Sequence, residues 1–181
     1  MTVFQNDLLK GRFLSVYDET EDNSAFHVCR YLCSDETDVL FQTITTRGYD
    51  DGFYLIPMEY IYRIDVDDEY TKRIEKLFHL HNQPLAENAC GSGEGSLFVQ
   101  FLCYAQKNKL ITSLFLDNGD DVTGWVSNVD TEGNSLCIEQ LTENGERNGT
   151  VFLGIENVEK VVCNSGVERC IEMLIASSGT E

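Results

Sequence analysis

The residues best suited to chemistry in this chain are its thiols, imidazoles and clustered carboxylates. His27, Cys29 and Cys33 could bring one nitrogen and two sulfurs to a zinc ion if all three share a strand face. The same residues also read as buried thiols beside a histidine, which needs no metal. His79 and His81, followed by Cys90, form a looser grouping flanked by linker-type sequence. All three histidines lie in the first half, which excludes a histidine-based centre written twice. Asp117-Asn-Gly-Asp-Asp121 offers carboxylates to calcium but lacks the spacing and closing glutamate of a helix–loop–helix calcium site, and reads as a turn. Gly91-Ser-Gly-Glu-Gly-Ser96 has the glycines of a phosphate-cradling loop, without a preceding strand or a Lys-Ser/Thr ending, and Glu94 adds a negative charge inside it. Neither Gly-x-Ser-x-Gly nor His-Glu-x-x-His occurs. The expectation is a protein that is not an enzyme, with no catalytic residues, no metal and no cofactor.

Charge narrows the partners. The formal net charge is −18, from 31 acidic and 13 basic residues among 181. Residues 1–93 hold 17 Asp/Glu and 8 Lys/Arg, and residues 94–181 hold 14 and 5, so the acidity is no tail effect. Binding to phosphate backbones or anionic lipid requires Lys/Arg to displace counterions, and such a chain repels both. Nucleic acid and membrane are therefore not the expected partners; a protein is, and most easily a basic one. The seven cysteines include no C-x-x-C pair, and no signal-peptide pattern or membrane-length apolar run is present. The expected setting is cytoplasmic, with thiols reduced and mostly buried.

The elements that must position these residues are written twice. At an offset of 97 residues, Lys10-Gly-Arg12-Phe-Leu14 falls on Lys107-Asn-Lys109-Leu-Ile111 without a gap. Gly48 and Gly52 fall on Gly145 and Gly149, Glu59 on Glu156, and Ile74-Glu75 and Leu77 on Ile171-Glu172 and Leu174. Apolar alternation predicts strands over 12–17, 26–33, 39–45, 53–56 and 59–66, and over 110–116, 122–129, 136–141, 150–153 and 157–163. Asp68 and Ser165 are equivalent N-caps, and Ser165-Gly-Val-Glu168 has the spacing of a capping box. The helices that follow carry apolar faces of Tyr70, Ile74 and Leu77, and of Val167, Ile171 and Leu174. Residues 97–104 suggest a helix leading into the second copy, matched by residues 2–9 with Phe4 on Phe101. The reading is residues 1–81 as the first unit, 82–96 as linker and 97–177 as the second unit.

One stretch carries a resemblance. Gly119, Gly124, Val126, Val129, Asp130 and Asn134 match, in order and spacing, the first motif of Sm-like proteins, with Leu136 and Ile138 continuing as the next strand. The resemblance implies a mainly β fold with short helices: two tandem Sm-like (SH3-like) five-stranded barrels, each followed by a C-terminal helix. It also implies a base pocket in which Asn134 bonds a base edge and Asp130 holds the loop. The arginine of the family's second motif is replaced, since Gly154-Ile155 stand where Arg-Gly would precede Asn157-Val158. In the first copy, Cys33 and Thr37 replace the Asp and Asn. The same residues also make a hairpin through local side-chain bonds.

The leading function is a non-catalytic acidic protein-binding or scaffolding protein. The alternative is an RNA-binding protein using Asp130 and Asn134, with Lys107, Lys109, Arg147 and Lys160 as a local basic patch. Trp125, Tyr60 and Tyr62 are the candidate protein interface; Trp125 is either an exposed anchor or buried against the helix or the other unit. Sm-like proteins join through barrel edges, so the resemblance also implies a homo-oligomer built through the strands near residues 53–66 and 150–163.

Overall fold

The computed structural model describes residues 9–18, 26–86, 89–90, 95–130, 132 and 134–178. The helix expected at residues 2–9 and the glycine run 91–94 fall almost wholly outside them. Two compact units divide the chain, Met1–Cys90 and Gly91–Glu181.

In the first unit, period-2 alternation gives β1 (Phe13–Asp18), β2 (His27–Ser34), β3 (Asp38–Ile44), β4 (Asp50–Pro57) and β5 (Ile61–Val66). Pro57 ends β4, and a single 3-10 turn over Met58–Tyr60 takes the place of the first residues expected in β5. Helix α1 (Glu69–Leu80) follows, capped by Asp68, whose carboxylate accepts the Thr71 N–H at 2.9 Å. The second unit begins with α2 (Leu97–Asn108) and continues with β6 (Ile111–Leu116), β7 (Asp121–Asp130), β8 (Ser135–Leu141), β9 (Arg147–Gly154) and β10 (Val158–Cys163). Helix α3 (Gly166–Ser178) closes it with the expected capping box: Glu168 accepts the Ser165 N–H at 2.7 Å, and Ser165 Oγ accepts the Val167 N–H at 3.2 Å.

The mainly β composition stands, but the closed barrels do not. Within the first unit the strands run in the order β5-β1-β2-β3-β4, and within the second β10-β6-β7-β8-β9, antiparallel throughout. Among the described residues the two end strands of neither unit hydrogen-bond to each other, so each is an open sheet. A helix supplies the covering layer that a closed barrel would obtain from its own far wall. Ile74 and Phe78 of α1 pack on Phe13, Val28 and Ile44, with Tyr70 and Leu77 at the margin. Ile171 of α3 packs on Ile111 and Leu141, with Ile175 and Trp125 beside them.

The α3 face differs from the apolar stripe read in the sequence. Val167 and Leu174 are 65% and 43% exposed, whereas Glu168 and Ile171 are buried. Glu168 is held inside by the Ser113 hydroxyl at 2.6 Å, so a carboxylate occupies a core-facing position that hydropathy assigns to solvent.

The second hairpin of each unit has the same register. β3–β4 pairs Asp38 with Pro57 through to Ile44 with Asp50, shifting between Gln42 and Ile44. β8–β9 pairs Ser135 with Gly154 through to Leu141 with Arg147, shifting between Glu139 and Leu141.

Candidate functional site

The loop after β7 shows what the motif residues do. Asp130 Oδ1 accepts the Glu132 N–H at 3.2 Å, the local bond of a turn. Asn134 sits in the left-handed region at φ 50°, its carbonyl accepts the Ile155 N–H at 3.1 Å, and its side-chain amide donates to Glu156 Oε2 at 2.5 Å. The amide expected to face a base is tied to a carboxylate, and Gly133 lies outside the described residues. Gly124 has a packing reason: a Cβ there would collide with the Glu139 carbonyl oxygen of β8.

Trp125 lies on the floor of a cleft of about 410 Å³ in the second unit, with Lys109, Ser127, Glu139 and Arg147 among its walls. Its partners explain its position. Trp125 pairs across the sheet with Ile111 and with Glu139, which sets the indole between the α3 core and the open side of the sheet. Lys109 caps the C-terminus of α2 in the left-handed conformation, at φ 53°. Arg147, with a side chain 78% exposed, stands 3.7 Å from Glu139. Of the basic patch expected from sequence, these two cations line the cleft, whereas the Lys160 ammonium stands over the Phe115 ring at 4.7 Å and is buried.

The first unit has a counterpart whose groove is filled by the chain itself. Gln42, 1% exposed, donates from Nε2 to the Pro84 carbonyl at 2.9 Å and to Asp50 Oδ1 at 2.7 Å. Its Oε1 accepts the Ala86 N–H at 3.1 Å. Gln83 Oε1 accepts the Asp50 N–H at 3.1 Å, and Arg30 donates to the Ala86 carbonyl at 3.4 Å. A disulfide between Cys33 and Cys90 pins the far end. Residues 83–86, linker by composition, thus run along β2, β3 and β4, held through the backbone of Pro84 and Ala86 and the side chain of Gln83. Local patterning does not reveal this groove; its one signal in the sequence is Gln42 inside the apolar run of β3, because a buried amide demands partners.

The disulfide corrects the expectation of reduced thiols at Cys33 and Cys90, the other five cysteines being free, and removes Cys33 from any grouping with His27 and Cys29. His27 Nε2 lies 3.7 Å from Asp18 Oδ2, an oxygen that also accepts the Tyr54 hydroxyl at 3.1 Å. Burial, with a contribution from the Asp18 charge, pushes the Cys29 thiol well up. Burial likewise raises Cys163 to about 12, opposed by the Thr112 hydroxyl. Both thiols stay protonated and weakly nucleophilic at neutral pH. Among the described residues no group of three or more His, Cys, Asp or Glu is placed to hold a metal. No described helix is long and apolar enough to cross a membrane.

Tyr60 and Tyr62 belong to the first unit. Tyr60 is half-buried in the 3-10 turn, whereas Tyr62 is 46% exposed on β5 with its ring centroid 6.1 Å from that of Tyr17. Tyr17 continues to Phe26 at 5.1 Å, and Phe26 to Tyr70 at 5.5 Å. The Arg63 guanidinium lies 4.6 Å above the Tyr17 ring, held by Asp65 at 2.6 Å. The result is a ribbon of two exposed rings, Phe26 and Tyr62, and two half-buried ones, Tyr17 and Tyr70, with an arginine fixed across it.

Set beside known protein families, curated proteins and solved structures, the chain matches none of them.

Proposed function

We propose that this is a non-catalytic protein-binding or scaffolding protein, its two units copies of one Sm-like design. The observation that supports this most is the ribbon Tyr62–Tyr17–Phe26–Tyr70 with Arg63 laid over it. Aromatic rings and arginine are the side chains that dominate binding energy in protein interfaces. Rings already in contact, and a guanidinium already held by Asp65, lose little freedom when a partner docks. The net charge of −18 favours a basic partner and makes the encounter salt-sensitive. The register shared by the β3–β4 and β8–β9 hairpins supports the duplication.

The test is capture of a defined partner by the intact protein and by Phe26→Ser/Tyr62→Ser, each checked for folding by circular dichroism. Loss of capture in the folded double variant supports the reading; undiminished capture removes the ribbon from it. Self-association is a second surface reading, favoured by Phe152, 78% exposed on β9 at the end of the second unit's strand order. Sedimentation should show an oligomer that Phe152→Lys disperses; a monomeric parent protein overturns it.

A further inference from the structure

The two grooves share positions, and one of them is open. Ser127, Glu139 and Arg147 of the second unit stand 97 residues after Arg30, Gln42 and Asp50 of the first. In the first unit those three residues hold the chain's own segment 83–86. In the second they line the cleft of about 410 Å³ over Trp125. The side-chain pair across the hairpin is kept, as Gln42 with Asp50 at 2.7 Å and Glu139 with Arg147 at 3.7 Å, but its charges are rearranged. We infer that the second unit's cleft is a groove for an extended peptide of a protein partner, carrying a carboxylate side chain toward Lys109 and Arg147.

The chemistry follows from the replacements. Gln42 both donates to and accepts from the backbone of its segment. Glu139 in that place only accepts, so it takes a backbone N–H of the incoming peptide. Gln83 accepts the backbone N–H of Asp50; a carboxylate in its place could still accept a backbone N–H at Arg147 and would gain the attraction of the guanidinium there, so it suits that position better than an amide. Lys109, from the end of α2, adds a second cation at the same cleft. The second unit has only five basic residues, and Lys160 and Arg169 are engaged elsewhere, over Phe115 and on the Asn164 carbonyl. Two of the remaining three converge on this cleft, against the charge of the whole chain. Trp125 replaces Val28 of the first unit and gives an apolar peptide side chain a broad indole to lie on. The volume is that of a site for a few residues.

This rests on the protein-binding reading and assigns it a second surface. Trp125 is the only tryptophan, so its emission reports the cleft alone. The probes are two synthetic octapeptides with the sequence of residues 82–89, one bearing Gln83→Glu and the other Gln83→Lys. The glutamate peptide should change the emission saturably and bind at least about tenfold more tightly than the lysine peptide, the scale of one favourable charge contact. Arg147→Glu, folded by circular dichroism, should reverse that preference. No saturable change from either peptide up to about 1 mM, the weakest range of specific binding, overturns the inference. So does equal affinity for both peptides. Partner capture that depends on Phe26 and Tyr62 while neither peptide binds removes the cleft and leaves the ribbon. Peptide binding without such capture does the reverse.

Discussion

Asn134 donates its side-chain amide to Glu156 at 2.5 Å, so the residue spaced to read a base is engaged by an acid of its own unit. Around it stand Asp130 and Glu132, and no arginine follows at positions 154–155. A uridine-rich oligonucleotide is therefore expected to give no titratable shift even at low salt, where electrostatic attraction to phosphate is strongest. Saturable binding abolished by Asn134→Ala would reverse this expectation. The same residue is a stability probe, because φ 50° strains any side chain with a Cβ except Asn or Asp. Asn134→Ala should cost about 1 kcal/mol and Asn134→Gly less, measured by urea unfolding.

Gln42 makes three side-chain bonds, two that tie β3 to backbone groups of residues 83–86 and one to Asp50 of β4. Gln42→Ala leaves the Ala86 N–H and Pro84 carbonyl without their protein partner, and should destabilise the first unit by about 1–3 kcal/mol. Hydrogen exchange at Ala86 should accelerate in parallel. Unchanged protection there would mean that Gln83, Arg30 and the disulfide suffice to hold the segment.

Cys33 and Cys90 close a loop across 57 residues. Restricting the unfolded chain over that length is worth about 4 kcal/mol in the chain-entropy model. Reduction, or Cys33→Ser, should lower the unfolding midpoint of the first unit by a corresponding amount. The second unit contains neither cysteine, and its own transition should stay in place.

Gly124 shows how the most patterned stretch serves the fold. A Cβ at that position would meet the Glu139 carbonyl and lie 3.0 Å from the Gln140 Cα, backbone that cannot rotate away. Gly124→Ala should cost about 1–3 kcal/mol through strand displacement, read as a lower thermal midpoint. Gly119→Ala offers a contrast within the same motif: its φ of 86° carries strain, yet nothing lies within 4 Å of the added atom. The milder outcome is expected there.

The strands were legible because alternation and turn glycines act over a few residues, and the caps Asp68 and Ser165 were legible for the same reason. Closure into barrels was not, because alternation marks which face of a strand is apolar and is silent on which strands end a sheet. The α3 face was misread at Val167 and Leu174 because Glu168, a charged residue, is taken inward by Ser113 and the Ser165 N–H. Composition likewise hid the role of residues 83–86: a Pro-containing polar segment reads as linker, while its attachment depends on Gln42, far away in sequence. The loop residues Asp130 and Asn134 were found by spacing, but the partner that changes their meaning, Glu156, lies on another turn. Local signals survive in a single sequence; long-range pairings do not.

Asp68 links this local legibility to pH. Burial raises its carboxyl pKa, but the Thr71 hydroxyl and the backbone N–H groups of the first turn outweigh that, and the net effect is to hold it below its usual 3.8. The unfolded chain therefore binds this proton more tightly than the folded one. The cap's contribution is complete above the unfolded value and disappears as pH falls through the lowered folded value. At neutral pH, Asp68→Ala should cost about 1 kcal/mol, a typical loss for an N-cap acid. Asp68→Asn keeps an acceptor for the Thr71 N–H but loses the charge and the second oxygen that accepts the Thr71 hydroxyl, so it should cost less than Asp68→Ala without being neutral. Unfolding curves collected from neutral pH down past the usual aspartate range should bring the parent protein and Asp68→Asn together. A gap that persists unchanged to the lowest pH would assign the difference to packing rather than to the carboxylate.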